Sequence, residues 1–270
     1  VYSIIKDYKN SIKNFEEAIK IKKNYKEALS NLGNVYVEMK DYETALEKFN
    51  LSTQITPINP IEYNNVGNIY FELKNFKKAL ENFDKALSVD TNFALSYYNK
   101  AKTYKEINQN EKAVTNYEKA ISLNKNFSEA YKNLGNVYID LKILDKSIYN
   151  HQQALKINPN ISFLEGTMLQ SKCGICDWEN FSENKSLLKK NILLGKKSSY
   201  PFSTLLLYDS PHLHKKSSKI LFESEYNEKS IAETLKELPN NKKVHIGYYS
   251  SDFHNHATMY LMANLFELHD

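Results

Sequence analysis

The sequence predicts a mainly α-helical protein: a solenoid superhelix of stacked helix–turn–helix units, then a helical linker and the first βα unit of an α/β lobe. Three observations predict it. The string Asn31-Leu32-Gly33-Asn34-Val35-Tyr36 returns unchanged at Asn133–Tyr138 and nearly so at Asn65–Tyr70, so copies are spaced by 34 residues or a multiple of 34. Other columns keep the same phase, among them Tyr2, Tyr36, Tyr70, Tyr104 and Tyr138. Past residue 243 the helical pattern gives way to a run rich in β-branched and aromatic residues.

A period of 34 residues is the length of the tetratricopeptide repeat, a helix A–turn–helix B unit that buries its apolar faces only by stacking on its neighbours. Five units are read over residues 1–161. The first is partial and ends at Tyr25, and complete units occupy 26–59, 60–93, 94–127 and 128–161. Helix B of each carries a small–aromatic–small stripe at i, i+4 and i+7, as in Ala79, Phe83 and Ala86. That spacing puts all three on one face, where small residues let helices approach closely. The aromatic column runs Phe15, Phe49, Phe83, Tyr117 and His151. Pro57 and Pro159 follow helix B, where a missing N–H does no harm.

One polar column runs through these helices. Asn31, Asn65, Asn99 and Asn133 share the sixth position of helix A. The A helices of such an array line its concave surface, so the four amides are expected to form a ladder along the groove. Each offers a donor pair and an acceptor, enough to hold a peptide backbone whatever its side chains.

After Ile161 the sequence period is lost, and residues 162–242 read as a helical linker with apolar spacing at Leu187, Leu188, Ile192 and Leu193. Cys173 and Cys176 form the only CxxC and are expected to be buried structural cysteines, since no second ligand pair or βαβ context accompanies them. His212 and His214 have no third ligand nearby and are expected at the surface or in packing. No metal site is expected. Val244–Ser250 reads as a strand, Ser250–Phe253 as a turn, and a helix with Tyr260, Leu261, Leu265, Phe266 and Leu268 on its apolar side follows. Residues 243–270 are therefore expected to begin an α/β lobe that is truncated.

Composition bounds the function. The 270 residues carry a net charge of only +4, and every basic residue is lysine. Without the guanidinium fork, and with lysines spread along the repeats, a nucleic-acid partner is not expected. Two cysteines make no disulfide framework, which fits a reducing, cytoplasmic setting. No apolar run approaches the ~20 residues of a membrane span. The chain starts at Val1, part-way through a repeat, and is expected to be a fragment.

The run Ile246-Gly247-Tyr248-Tyr249-Ser250-Ser251-Asp252-Phe253-His254-Asn255-His256-Ala257-Thr258, behind repeats with an Asn column, resembles the O-GlcNAc transferase and SPINDLY group of protein O-glycosyltransferases. Cys176-Asp177-Trp178 and Pro201-Phe202 with Leu205, Asp209 and Pro211 look like the helical linker of its bacterial members. The resemblance implies metal-free, inverting transfer of a sugar, GlcNAc foremost, from a nucleotide sugar such as UDP-GlcNAc to serine or threonine of acceptor proteins. No cofactor beyond that donor is implied. His256 falls on the active-site histidine of the family, Thr258 on a neighbouring pocket position, and Asp252 on the strand–helix turn. Asn31, Asn65, Asn99 and Asn133 match the ladder that recruits acceptor polypeptides. The resemblance implies that most of the catalytic region lies outside these residues, so this chain alone is expected to be inactive. The alternative is a non-catalytic adaptor that binds proteins through its repeats.

Overall fold

The computed structural model describes residues 7–55 and 59–225, and the described residues form thirteen α-helices and no strands. Helix α1 (Tyr8–Ile21) is followed by four antiparallel pairs: α2 (Lys26–Glu38) with α3 (Tyr42–Thr53), α4 (Pro60–Glu72) with α5 (Phe76–Val89), α6 (Ala94–Glu106) with α7 (Asn110–Leu123), and α8 (Ser128–Asp140) with α9 (Leu144–Ile157). The closest packing lies within each pair, and each B helix packs on the next A helix. Four further helices follow: α10 (Leu164–Gly174), α11 (Phe181–Leu193), α12 (Pro201–Leu207) and α13 (Pro211–Glu225). The predicted strand at Val244–Ser250 and the helix after it lie outside the described residues, as does Pro57.

In three of the four pairs a ring is pressed on the gap left by a glycine, and in α6–α7 Ala101 takes the glycine's place. Phe49, Phe83, Tyr117 and His151 are all at most 1% exposed. A Cβ built on Gly67 would sit 2.5 Å from Phe83 Cε1, and one on Gly135 would sit 2.3 Å from His151 Cδ2. The glycine of the repeated string is there because the aromatic ring of its own helix B fills the space a side chain would take. Burying such a ring is worth roughly 2–3 kcal/mol.

The turns are equally regular. Lys40, Lys74, Asn108 and Lys142, again 34 residues apart, are left-handed with φ between 58° and 63°. Around each, two backbone bonds close the helix end: Asn75 N–H donates to Tyr70 O at 2.8 Å and Lys74 N–H to Phe71 O at 2.9 Å. This pair of bonds is the Schellman termination, which satisfies carbonyls a helix end leaves open. Where the next residue is Asp41 or Asn75, its side chain also caps helix B by accepting from the Thr44 or Lys78 N–H at 3.2 Å. Gln109 and Ile143 make no such side-chain bond.

Lysine contributes to the frame as well as to the surface. Lys78, Lys112 and Lys146 lie 5.2–5.5 Å over the rings of Tyr70, Tyr104 and Tyr138, the same cation–π contact in three successive units.

Beyond the repeats, Phe163, Leu169, Leu188, Ile192, Leu207, Tyr208, Leu213 and Ile220 form a separate core. Leu187 and Leu193, expected on the apolar side with Leu188 and Ile192, are exposed. Helix α10 packs on α9 as an A helix does, and its end repeats the turn chemistry one period on. Cys176 is left-handed with φ 56°, and Asp177 N–H donates to Lys172 O at 3.0 Å. The expectation of buried cysteines is corrected here. Cys176 is exposed and Cys173 only half-buried, because the period carries Cys176 to the turn tip that Lys142 occupies one unit earlier. His214 is a packing residue, its Nε2 lying 2.6 Å from Tyr208 O.

Candidate functional site

Positions five, six and nine of the A helices build one polar face. The sixth-position asparagines do not behave alike along it. Asn31 is exposed, Asn65 and Asn133 are half-buried, and Asn99 is buried. Asn65 donates through Nδ2 to Asn34 Oδ1 at 3.3 Å. Asn99 donates to Asn64 Oδ1 at 2.9 Å, where Ser96 Oγ also donates at 3.1 Å. Asn133 donates to Tyr98 OH at 2.9 Å. Each of these bonds crosses from one A helix to the previous one, so part of the column holds neighbouring units together.

Two adjoining clefts open on this face. The first, of about 590 Å³, is lined by Lys26, Ser30, Asn31, Asn34 and Asn65 with Asn59 to Glu62. The second, of about 360 Å³, is lined by Asn34, Asn65, Asn68 and Asn99 with Val37, Tyr42, Phe71, Glu72 and Lys102. Asn34 and Asn65 belong to both. Asn31, Asn65 and Asn99 of the predicted ladder are thus brought together, and Asn133 is not among the lining residues. Sequence reading missed the ninth position, which supplies Asn34, Asn68 and Lys102. Its signal was in the repeated string itself, whose second asparagine stands three residues, about one helical turn, after the first.

Charge along the clefts is sparse, and one ion pair lies within it. The Lys26 ammonium lies 3.2 Å from Glu62 Oε2, Ser30 Oγ donates to Glu62 Oε1 at 3.0 Å, and Glu62 is 3% exposed. This ion pair ties two units at the floor of the first cleft. Lys102 extends over Phe71 with its ammonium 4.9 Å from the ring centre. Such a wall offers amide donors and acceptors beside aromatic surface. It has the chemistry to hold an extended backbone and no nucleophile–base pair to transform one.

A third cleft, about 680 Å³, lies where α8, α10 and α12 meet. Its lining holds Asn136, Ile139, Leu144, Cys173, Tyr200, Phe202 and Leu206 and no charged side chain. Among the described residues no group of three His, Cys, Asp or Glu could hold a metal ion, and no helix is long and apolar enough to cross a membrane. His256, Thr258 and Asp252 lie outside the described residues.

A solenoid of helix pairs with an amide-lined face defines a helical-repeat protein. Models described as TPR repeat match residues 2–40 and 102–142, and models described as tetratricopeptide repeat match 26–59, 60–93, 82–115 and 128–161. These matches jointly span residues 2–161, and the chain belongs to the tetratricopeptide-repeat family. No curated protein matches it. Among solved structures it is similar to PilW, a type IV pilus biogenesis factor, with 19% identity and a TM-score of 0.60 over 70% of this chain and 88% of that one. It is also similar to MamA of Desulfovibrio magneticus, with 20% identity and a TM-score of 0.52 over 59% and 90%. A thermophilic TPR protein of Thermus thermophilus is 20% identical, with a TM-score of 0.53 over 63% and 92%. At these identities the likeness is one of fold.

Proposed function

We propose that the repeats form a protein-interaction module that holds an extended segment of a partner polypeptide along the A-helix face. The observation that carries this reading is the pair of adjoining clefts sharing Asn34 and Asn65, with Asn31, Asn68 and Asn99 in their walls. Amides of both polarities at successive units suit a peptide backbone, which repeats its own donors and acceptors at a regular rise. Recognition is then tolerant of sequence, and Phe71 and Lys102 add a place for an apolar or acidic side chain.

The test uses unstructured peptides selected from a random display library against the full chain, followed by fluorescence anisotropy. The double variant Asn34→Ala/Asn68→Ala is expected to lose about tenfold or more in affinity, the worth of one or two amide hydrogen bonds. Unchanged affinity would sink the reading.

A second reading places this module in a protein O-glycosyltransferase of cytoplasmic setting. It is supported by the Gly247-Tyr248 to Thr258 run and its resemblance to the O-GlcNAc transferase and SPINDLY group. In that reading the groove recruits the acceptor, a nucleotide sugar is the donor, His256 positions or deprotonates the acceptor hydroxyl, and Thr258 lines its pocket. Its test is transfer from UDP-GlcNAc and GDP-fucose by the protein carrying its whole reading frame. His256→Ala is expected to abolish turnover and spare acceptor binding, and turnover by that variant at the parent rate would remove His256 from the chemistry.

A further inference from the structure

We propose that Cys173 and Cys176 are a thiol–disulfide couple, a reversible oxidation site at the end of helix α10. The two residues bracket a hydrogen-bonded turn, with Cys176 N–H donating to Cys173 O at 3.2 Å. A turn closed by that i to i+3 bond holds its first and last Cα atoms within about 7 Å, and a disulfide needs roughly 4.4–6.8 Å. The turn therefore already brings the two backbones within the span of a bridge.

Packing does not account for the second thiol. Cys176 occupies the exposed, left-handed turn position held by Lys40, Lys74, Asn108 and Lys142 in the repeats, where the side chain is free to be polar. A left-handed conformation is no reason for a cysteine. Access and chemistry give the two thiols an order. Cys176 is open to solvent, whereas Cys173 is half-buried in the wall of the uncharged cleft, where burial pushes its thiol up. The thiolate is the reacting species, so Cys176 attacks first.

The oxidant is a small-molecule disulfide such as oxidised glutathione. Cys176 thiolate attacks one of its sulfurs, that S–S bond breaks, and one glutathione thiolate leaves and takes up a proton. Cys173, losing its proton, then attacks Cys176 Sγ in the mixed disulfide and expels the second glutathione. Two electrons pass from the cysteine pair to glutathione disulfide, which becomes two thiols. The product ring draws Cys173 Sγ toward the turn and so changes the wall of the uncharged cleft.

The experiment equilibrates the full chain in glutathione buffers of graded ratio, alkylates the remaining thiols with a maleimide and weighs the products. The expected result is loss of both thiols together, in one step, with no glutathione retained and no dimer. Cys173→Ser is expected to accumulate a glutathione adduct on Cys176, and Cys176→Ser to keep its thiol through the same series. A stable adduct on Cys176 in the parent chain, or two thiols that survive every ratio, would overturn the proposal. Cys173 packs against the core beyond the repeats, so circular dichroism of both serine variants separates misfolding from a negative answer.

Discussion

Asn99 Nδ2 stands 2.9 Å from Asn64 Oδ1, and both side chains are buried between successive A helices. One sequence column thus divides into two jobs. Asn99→Ala leaves Asn64 with fewer partners inside the stack and is expected to cost about 1–3 kcal/mol. Asn31→Ala, at an exposed site, is expected to stay within about 0.5 kcal/mol of the parent. Urea denaturation of both variants checks the split, and equal losses would refute it.

Gly67→Ala drives a methyl into the Phe83 ring, 2.5 Å from its nearest atom. Overpacking of this kind costs about 1–3 kcal/mol. The unit at 94–127 carries Ala101 and Tyr117 at the same two positions, both buried in one core cluster. Thermal melts are expected to show a lowered Tm for Gly67→Ala.

Lys142 has φ 63°, a conformation that costs a residue with a Cβ roughly 1–2 kcal/mol. Glycine removes that cost and gives back about 0.5–1 kcal/mol through its freer unfolded chain. Lys142→Gly is therefore expected to raise stability by roughly 0.5–1 kcal/mol, read as a higher denaturation midpoint at unchanged slope.

His151 takes the ring position of the aromatic column, and burial, with the Lys132 charge adding to it, lowers its pKa from 6.5 to about 4. Between those values the unfolded chain binds a proton that the folded one refuses. Stability therefore falls as pH drops from about 6.5 to 4, with the loss complete below 4, up to about 3 kcal/mol. His151→Phe is expected to flatten that part of the stability–pH curve relative to the parent. Parallel curves would show that His151 contributes nothing to it.

The repeats were legible because each periodic residue answers one steric need: glycine under a ring, small residues where helices touch, tyrosine at the helix end. The left-handed turn column was not, because lysine and asparagine fill it where glycine would have advertised it. The same disguise hid the continuation of the period to Cys176. The asparagine ladder was legible as a column but not as a site. Whether an amide faces a cleft or the next helix depends on its neighbours at positions three, five and nine, which vary from unit to unit. Asn64 captures Asn99 and Tyr98 captures Asn133, while Asn31 is left to the cleft.

The most direct test of the central claim is hydrogen–deuterium exchange of the full chain with and without a display-selected peptide. The account predicts slowed exchange over α2, α4 and α6, whose side chains line the two amide clefts. Protection confined to α3, α5 and α7, with the A helices unchanged, would contradict it.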